Sequence, residues 1–248
     1  CQWSHRLGYK LSWRPFVSPH HSTPPLAMIG GGAPIFPGEI TRAHGGTLFL
    51  DELLEFKSQV KEALREPIES GKITVARKGK VQSFPADFLL VATTNLCPCG
   101  DFVPGKPISC RFSLSRCRSY LDKLSGPLVD RFQVLSFSNG WTEGKDKDRI
   151  SLQQIQQQVM AAVEYRKGRG QNLPNGKLPV EEIEVSSFVK THLVEQASNQ
   201  SRRRFNATLK VARTVADLEG SATIEPGHLG EAERLTLRPY EKLKRAFV

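Results

Sequence analysis

The sequence predicts an α/β portion followed by an all-α portion, and three observations lead there. The apolar run Thr47-Leu-Phe-Leu50 stops abruptly at two adjacent carboxylates, Asp51 and Glu52. A second run, Phe88-Leu-Leu-Val-Ala92, stops at Thr93-Thr94-Asn95. Short continuous apolar runs are the pattern of buried parallel strands, whose connections must cross over the sheet. Beyond the polar, Gly-containing stretch 138–148 the apolar spacing turns helical. The boundary is therefore expected near residue 140, with 1–139 as the α/β core and 140–248 as a helical domain.

The remaining elements follow in order. Residues 1–17 carry Trp3, Tyr9, Trp13 and Phe16 without clean periodicity, and 20–38, with Pro24-Pro25 and Gly30-Gly31-Gly32, read as loop. After the first strand, Phe56, Val60 and Leu64 recur on one helical face. Pro67 is expected near the end of that helix, with Ser70-Gly71 as its punctuation. Short strands over 72–76 and 81–84, joined by Arg77-Lys78-Gly79-Lys80, predict a hairpin with a basic tip. A Pro/Gly/Cys-rich loop covers 97–113, a helix 115–124, and Ser125-Gly-Pro-Leu-Val-Asp-Arg131 leads into a last strand near 132–137. Helices are then expected over 150–166, 180–195, 203–219 and 226–237, with no internal repeat.

Composition narrows the class. A hydrophobic content of 39% and a charged content of 24% are those of a soluble globular protein. No apolar run reaches membrane-spanning length, and no signal peptide opens the sequence. Five cysteines, an odd number in a chain of 248 residues, do not form a secreted disulfide framework, so a reducing cytoplasm is expected. The formal net charge of +10 suits nucleic acid, and equally a solvated basic surface. The chain opens on Cys1 rather than Met, which predicts residues upstream of it.

The candidate chemistry gathers at the strand tips. Asp51 can hold a Mg2+ ion that bridges nucleotide phosphates, and Glu52 can polarise an attacking water. The same two acids also suit the first turn of a helix. Asn95 on the neighbouring tip can orient that water or touch a γ-phosphate, or simply make a turn. Arg131 can stabilise charge developing on a transferred phosphoryl group, or pair locally with Asp130. Cys97, Cys99, Cys110 and Cys117 could offer thiolates to zinc, but C-x-C is tighter than usual ligand spacing, and reduced thiols are the favoured reading. His20-His21 is a weaker metal candidate and more simply a hydrogen-bonding pair. Arg77, Lys78 and Lys80 on the hairpin could hold DNA phosphates without reading sequence, or only keep the tip soluble.

Taken in order, these motifs resemble the core and lid of an AAA+ ATPase, more narrowly the magnesium-chelatase-like family and its ComM/YifB group. The matching segments include Arg14-Pro-Phe-x-Ser-Pro-His-His21, Met28-Ile-Gly-Gly-Gly32, Pro37-Gly-Glu-Ile40 and Ala43-His-Gly-Gly-Thr-Leu-Phe-Leu-Asp-Glu-Leu53. Leu64-Arg-Glu-Pro-Ile-Glu-Ser-Gly71, Leu124-Ser-Gly-Pro-Leu-Val-Asp-Arg-Phe132 and Leu209-Lys-Val-Ala-Arg-Thr-Val-Ala-Asp-Leu218 extend the likeness over nearly the whole chain after residue 13. The resemblance implies Walker B roles for Asp51, the metal-site acid, and Glu52, the catalytic base. It implies sensor 1 at Asn95, an arginine finger at Arg131 acting on a neighbouring subunit, and sensor 2 at Arg203, with Arg202 and Arg204 flanking. Residues 28–38 would be the helix-2 insertion and 72–84 the pre-sensor hairpin, both facing the pore of a ring.

Departures from the family pattern bound that reading. The phosphate-gripping Gly-x-x-x-x-Gly-Lys-Ser/Thr of the family's Walker A loop does not occur in the chain, and its amino-terminal Lon-protease-like domain is not seen. The stretch Gly170-Gln-Asn-Leu-Pro-Asn-Gly-Lys-Leu178 has one spacer too many and Leu in place of the hydroxyl, and reads as a turn between helices. Val17 stands where many members carry arginine. The expectation is a piece of an ATP- and Mg2+-dependent motor, inactive without Walker A, whose intact form is a hexameric ring driving a DNA helicase or branch-migration activity on incoming DNA. The alternatives are a magnesium-chelatase-type motor subunit and a non-catalytic DNA- or partner-binding module.

Overall fold

The structure is a computed structural model that describes residues 14–77, 79–102, 112–124, 126–137, 150–196 and 201–245. They fall into two compact units that divide between Arg131 and Phe132. About the junction expected near 140 nothing is described, because 138–149 lie outside these residues.

The first unit is built on a parallel sheet of three strands: β1 (Phe16–Val17), β4 (Thr47–Leu50) and β7 (Leu89–Ala92), with β4 in the middle. Gly46 admits β1 to that position. A Cβ on Gly46 would stand 1.9 Å from the carbonyl oxygen of Pro15, which accepts from the N–H of Thr47. Leu48 and Leu50 point to one face and are fully buried, while Phe16, Leu89 and Val91 on the other face are exposed. The apolar runs thus supply residues for both faces, and the described residues cover one.

Between β1 and β4 run α1 (Pro25–Ile29), the short antiparallel pair β2 (Gly30–Gly31) and β3 (Phe36–Pro37), and α2 (Glu39–Arg42). The stretch read as loop is therefore a small hairpin packed on a helix. Two-residue strands are too short to leave a periodic signal.

After β4 the expected single helix is broken into a 3-10 turn (Leu53–Glu55), α3 (Ser58–Ala63) and α4 (Arg65–Ser70). The face Phe56, Val60 and Leu64 is buried as its spacing implies. Pro67 does not end the helix but sits in the first turn of α4, where a missing N–H costs nothing. Gly71 ends α4 at φ 67°, with its N–H on the carbonyl of Pro67 at 2.9 Å. The hairpin follows as β5 (Lys72–Arg77) and β6 (Lys80–Pro85), in register so that Arg77 faces Lys80. Beyond β7 come α5 (Leu114–Leu121) and α6 (Gly126–Val129).

The second unit is helical: α7 (Leu152–Gly168), α8 (Ser187–Gln196), α9 (Arg202–Leu218) and α10 (Pro226–Arg245), with 3-10 turns at Asn175–Lys177 and Val180–Glu182. Its core gathers Leu178, Ile183, Val189, Leu209, Ala212 and Ala216 with Ile224, Leu229 and Ala232. No helix among the described residues is long and apolar enough to cross a membrane.

The strand expected near 132–137 does not form. Pro239 lies inside α10 and has no N–H for the carbonyl four residues earlier, that of Leu235. The N–H of Leu135 donates to that carbonyl instead, at 3.0 Å. An apolar segment that looked like a strand is thus used to repair a proline defect in a helix.

Candidate functional site

Asp51 and Glu52 leave the carboxyl end of β4, the end at which open α/β sheets bind ligands. Leu50 pairs with Ala92, so Thr93 comes next to Asp51. The backbone of Thr93 donates to the carbonyl of Leu50 at 3.0 Å and accepts from the N–H of Leu53 at 2.9 Å. Its hydroxyl donates to Asp51 Oδ1 and accepts from the N–H of Glu52 at 3.3 Å. One threonine therefore brackets the loop that holds both acids.

That bracket holds Glu52 at φ 54° and ψ 52°, the one positive φ outside glycine among the described residues. A left-handed glutamate costs about 1–2 kcal/mol and persists only where its surroundings over-determine it. The Glu52 side chain is half exposed and meets His21, whose Nδ1 lies 2.9 Å from Oε2. The His20 ring lies on His21 with centroids 4.1 Å apart, and Ser22 fixes His20 through an Nδ1–Oγ contact of 2.7 Å. The histidine pair thus serves the acid tip.

A second layer lies behind the tip. Tyr120 on α5 donates to Glu55 Oε1 at 2.7 Å. Burial, then that hydrogen bond and the nearby charges of Glu55, Glu52 and Cys97, push its phenol well above the ordinary value. Lys61, buried in α3, donates from Nζ to the carbonyl of Leu54 at 3.2 Å and clamps the turn after Glu52. Burial, helped by the charge of Lys123, lowers the Lys61 ammonium against the opposing pull of Glu55.

The other expected site residues are placed less closely together. Asn95 is exposed beyond the tip of β7, its Oδ1 3.9 Å from where a Cβ on Gly100 would sit. Arg131 is largely buried and turned inward: Nη1 donates to the carbonyl of Pro127 at 2.6 Å and Nη2 pairs with Glu69 Oε1 at 2.5 Å. At the start of α9, Ser201 caps the helix by accepting from the N–H of Arg204 at 3.2 Å. Arg204 is buried with Nη1 on the carbonyl of Phe132 at 2.8 Å, whereas Arg202 and Arg203 are exposed.

Cys97 and Cys99 have their sulfurs 3.0 Å apart, and Cys117 is buried on α5. Cys110 lies outside the described residues, among which no three His, Cys, Asp or Glu side chains gather to hold a metal. Arg77 and Lys80 are exposed at the hairpin tip, and Lys78 lies outside the described residues. The glycine hairpin adjoins them, because a Cβ on Gly31 would be 3.5 Å from Arg77 Nε. In the Gly170–Leu178 stretch, Asn175 is buried and donates to Asp217 Oδ2 at 2.7 Å, while Lys210 holds the carbonyl of Gly176 at 2.9 Å. That loop is an anchored turn of the helical unit and not a phosphate loop.

Thr93 and Glu69 were not singled out as site residues in the sequence, and His21 was singled out only as a weak metal candidate or hydrogen-bonding residue, not as the partner of Glu52. Thr93 could have been found, since two adjacent parallel strands ending in acids and hydroxyls bring those side chains together. His21 and Glu69 are too far from their partners in sequence to signal the contact.

A parallel sheet whose central strand ends in paired acids, followed by an all-helical unit, is the build of a partial AAA+ core with its lid. The comparisons agree. The family model for magnesium chelatase subunit ChlI matches residues 4–143, and that for the ChlI C-terminal region matches 150–238. The chain is 37% identical over 242 residues to competence protein ComM of Haemophilus influenzae, covering 93% of this chain and 47% of that protein. It is 40% identical over 231 residues to YifB of Escherichia coli, covering 88% and 44%. Against Rv2897c of Mycobacterium tuberculosis it is 35% identical over 238 residues, covering 90% and 46%. This chain belongs to the magnesium chelatase ChlI family, within its ComM/YifB group, and spans a little under half the length of these relatives.

Proposed function

We propose that this chain carries the water-activating half of an ATPase site in a DNA-working AAA+ ring. The observation that carries the reading is the bracket at the tip of β4. There Thr93 holds Asp51 and Glu52 side by side, and Glu52 keeps a strained backbone with its carboxylate turned to His21.

The donor set suits a hard cation, since a carboxylate and a hydroxyl meet at one point. Asp51 Oδ1 takes the Thr93 hydroxyl, and Oδ2 makes no hydrogen bond among the described residues. Asp51 would hold Mg2+, which would supply positive charge against that of the nucleotide phosphates. Glu52 accepts a proton from the attacking water as general base, with His21 orienting its carboxylate. Asn95 orients the same water from the neighbouring strand tip. Arg131 exchanges Glu69 for the phosphoryl group of an adjacent subunit, and Arg203 is the sensor 2 arginine of this reading. The grip on the phosphates has to come from residues other than these 248, which contain no Walker A pattern. Arg77, Lys78 and Lys80 contact the DNA backbone from the hairpin.

The test is ATP hydrolysis by the full-length protein with and without DNA. Hydrolysis stimulated by DNA, with assembly into a hexamer on nucleotide, supports the reading. The family's name favours a second reading, a motor for inserting Mg2+ into a porphyrin. Hydrolysis indifferent to DNA but stimulated by a porphyrin-binding partner favours that reading.

A further inference from the structure

The thiols of Cys97 and Cys99 are not used by the site described above. They sit on the loop that follows Asn95, with sulfurs 3.0 Å apart, inside the van der Waals contact of two sulfur atoms. Cys97 is 1% exposed and Cys99 partly exposed. Burial alone would push the Cys97 thiol up. The hydrogen bond from Cys99 and the backbone N–H groups of Phe102, Cys99 and Gly100 outweigh it and bring the thiol below its ordinary value. The Phe102 N–H reaches Cys97 Sγ at 3.3 Å. Cys97 therefore gives up its proton more readily than an ordinary thiol, and its neighbour is open to small oxidants. The loop also folds back so that Gly100 comes beside the Asn95 amide.

We propose that Cys97 and Cys99 form a redox dithiol that closes into an intramolecular disulfide under hydroperoxides. Cys99, the more exposed sulfur, gives up its proton and attacks one peroxide oxygen, forming an S–O bond and breaking the O–O bond, with hydroxide leaving. The Cys97 thiolate then attacks the Cys99 sulfur, forming the S–S bond and expelling the second hydroxide. The two protons lost by the thiols convert both hydroxides to water. The pair gives up two electrons and the peroxide takes them. A bridge across a single intervening residue is a small ring, and strained or exposed disulfides are readily reduced, so the step reverses with a thiol reductant. Closure stiffens the loop beside Asn95. Its effect on hydrolysis rests on the role proposed for Asn95, whereas the disulfide itself does not.

The test treats the chain with hydrogen peroxide, blocks remaining thiols with N-ethylmaleimide in denaturant and maps residues 97–99 by tandem mass spectrometry. The expected result is loss of both adducts at Cys97 and Cys99 and of the mass of two hydrogens. Dithiothreitol should reverse it, with Cys117 alkylated throughout. Continued alkylation of Cys97 and Cys99, or a disulfide joining either to Cys1, Cys110 or Cys117, overturns the proposal. Irreversible sulfinic acid at either position overturns it too. In the full-length protein, peroxide should lower ATP turnover reversibly in the wild type and not in Cys99→Ser. A disulfide that forms while turnover stays unchanged overturns the coupling to Asn95 alone.

Discussion

In the helical unit, Asp217 is buried and accepts from Arg169 at 2.7 Å, Asn175 at 2.7 Å and Arg213 at 3.1 Å. Arg213, also buried, donates from Nη1 to the carbonyl of Ala222 and from Nη2 to that of Ser221. At the tip of β4, Asp51 and Glu52 are exposed, share one threonine hydroxyl and sit on a strained backbone. The first set of charges is paired within its own chain and fixes the fold, because a buried charge left unpaired is expensive. The second keeps oxygen lone pairs facing outward at a cost in backbone energy. The Asp217 cluster is built as structure, whereas a charge held under strain toward solvent is what a candidate site looks like.

That contrast can be broken by substitution. Asp217→Ala should cost about 3–5 kcal/mol of unfolding free energy, because it strands Arg213 in the core. Urea unfolding of the chain measures this, and a loss under about 1 kcal/mol would show that the network is not structural. Thr93→Val should cost about 0.5–1.5 kcal/mol by removing the hydroxyl that serves both acids. In the full-length protein it should also slow ATP turnover more than it weakens nucleotide binding.

His21→Ala should leave unfolding within about 0.5 kcal/mol, since its contact with Glu52 is partly solvent-exposed. Turnover should still fall about tenfold, the usual worth of a partner that orients a reacting group. Recovery in His21→Gln, which keeps a donor, would separate positioning from bulk. The smallest effect belongs to Lys61. Its folded-state pKa is lowered from 10.5, so the unfolded chain holds more protons in the window just below that value, and stability rises with pH there. Unfolding measured from about pH 8 to about pH 10 should show wild type gaining on Lys61→Met.

The same contrast explains what could be read in the sequence. Apolar runs ending in Asp51-Glu52 and in Thr93-Thr94-Asn95 announced the two strands, and the Arg77-to-Lys80 turn announced a hairpin in its observed register. Helical spacing announced α7 and α9 to within a few residues, whereas α8 begins only at Ser187, after a 3-10 turn where helix was expected from 180, and α10 runs on to Arg245. Strands β1, β2 and β3 were hidden because two residues carry no period. The segment 132–137 misled because its partner is the carbonyl beside Pro239, a long-range repair that local pattern cannot see. At the site, the acids were legible by position and chemistry. His21 on Glu52 and Glu69 on Arg131 were not, since both contacts exist only once the chain has folded.

The most direct test of the central claim, that the strand-tip acids activate water, is Glu52→Gln in the full-length protein. ATP hydrolysis and nucleotide binding are measured side by side. Loss of a general base removes about 10²- to 10⁴-fold in rate. Hydrolysis should therefore collapse by at least about 100-fold while nucleotide affinity and thermal stability stay close to wild type. Hydrolysis at the wild-type rate in that variant would contradict the account.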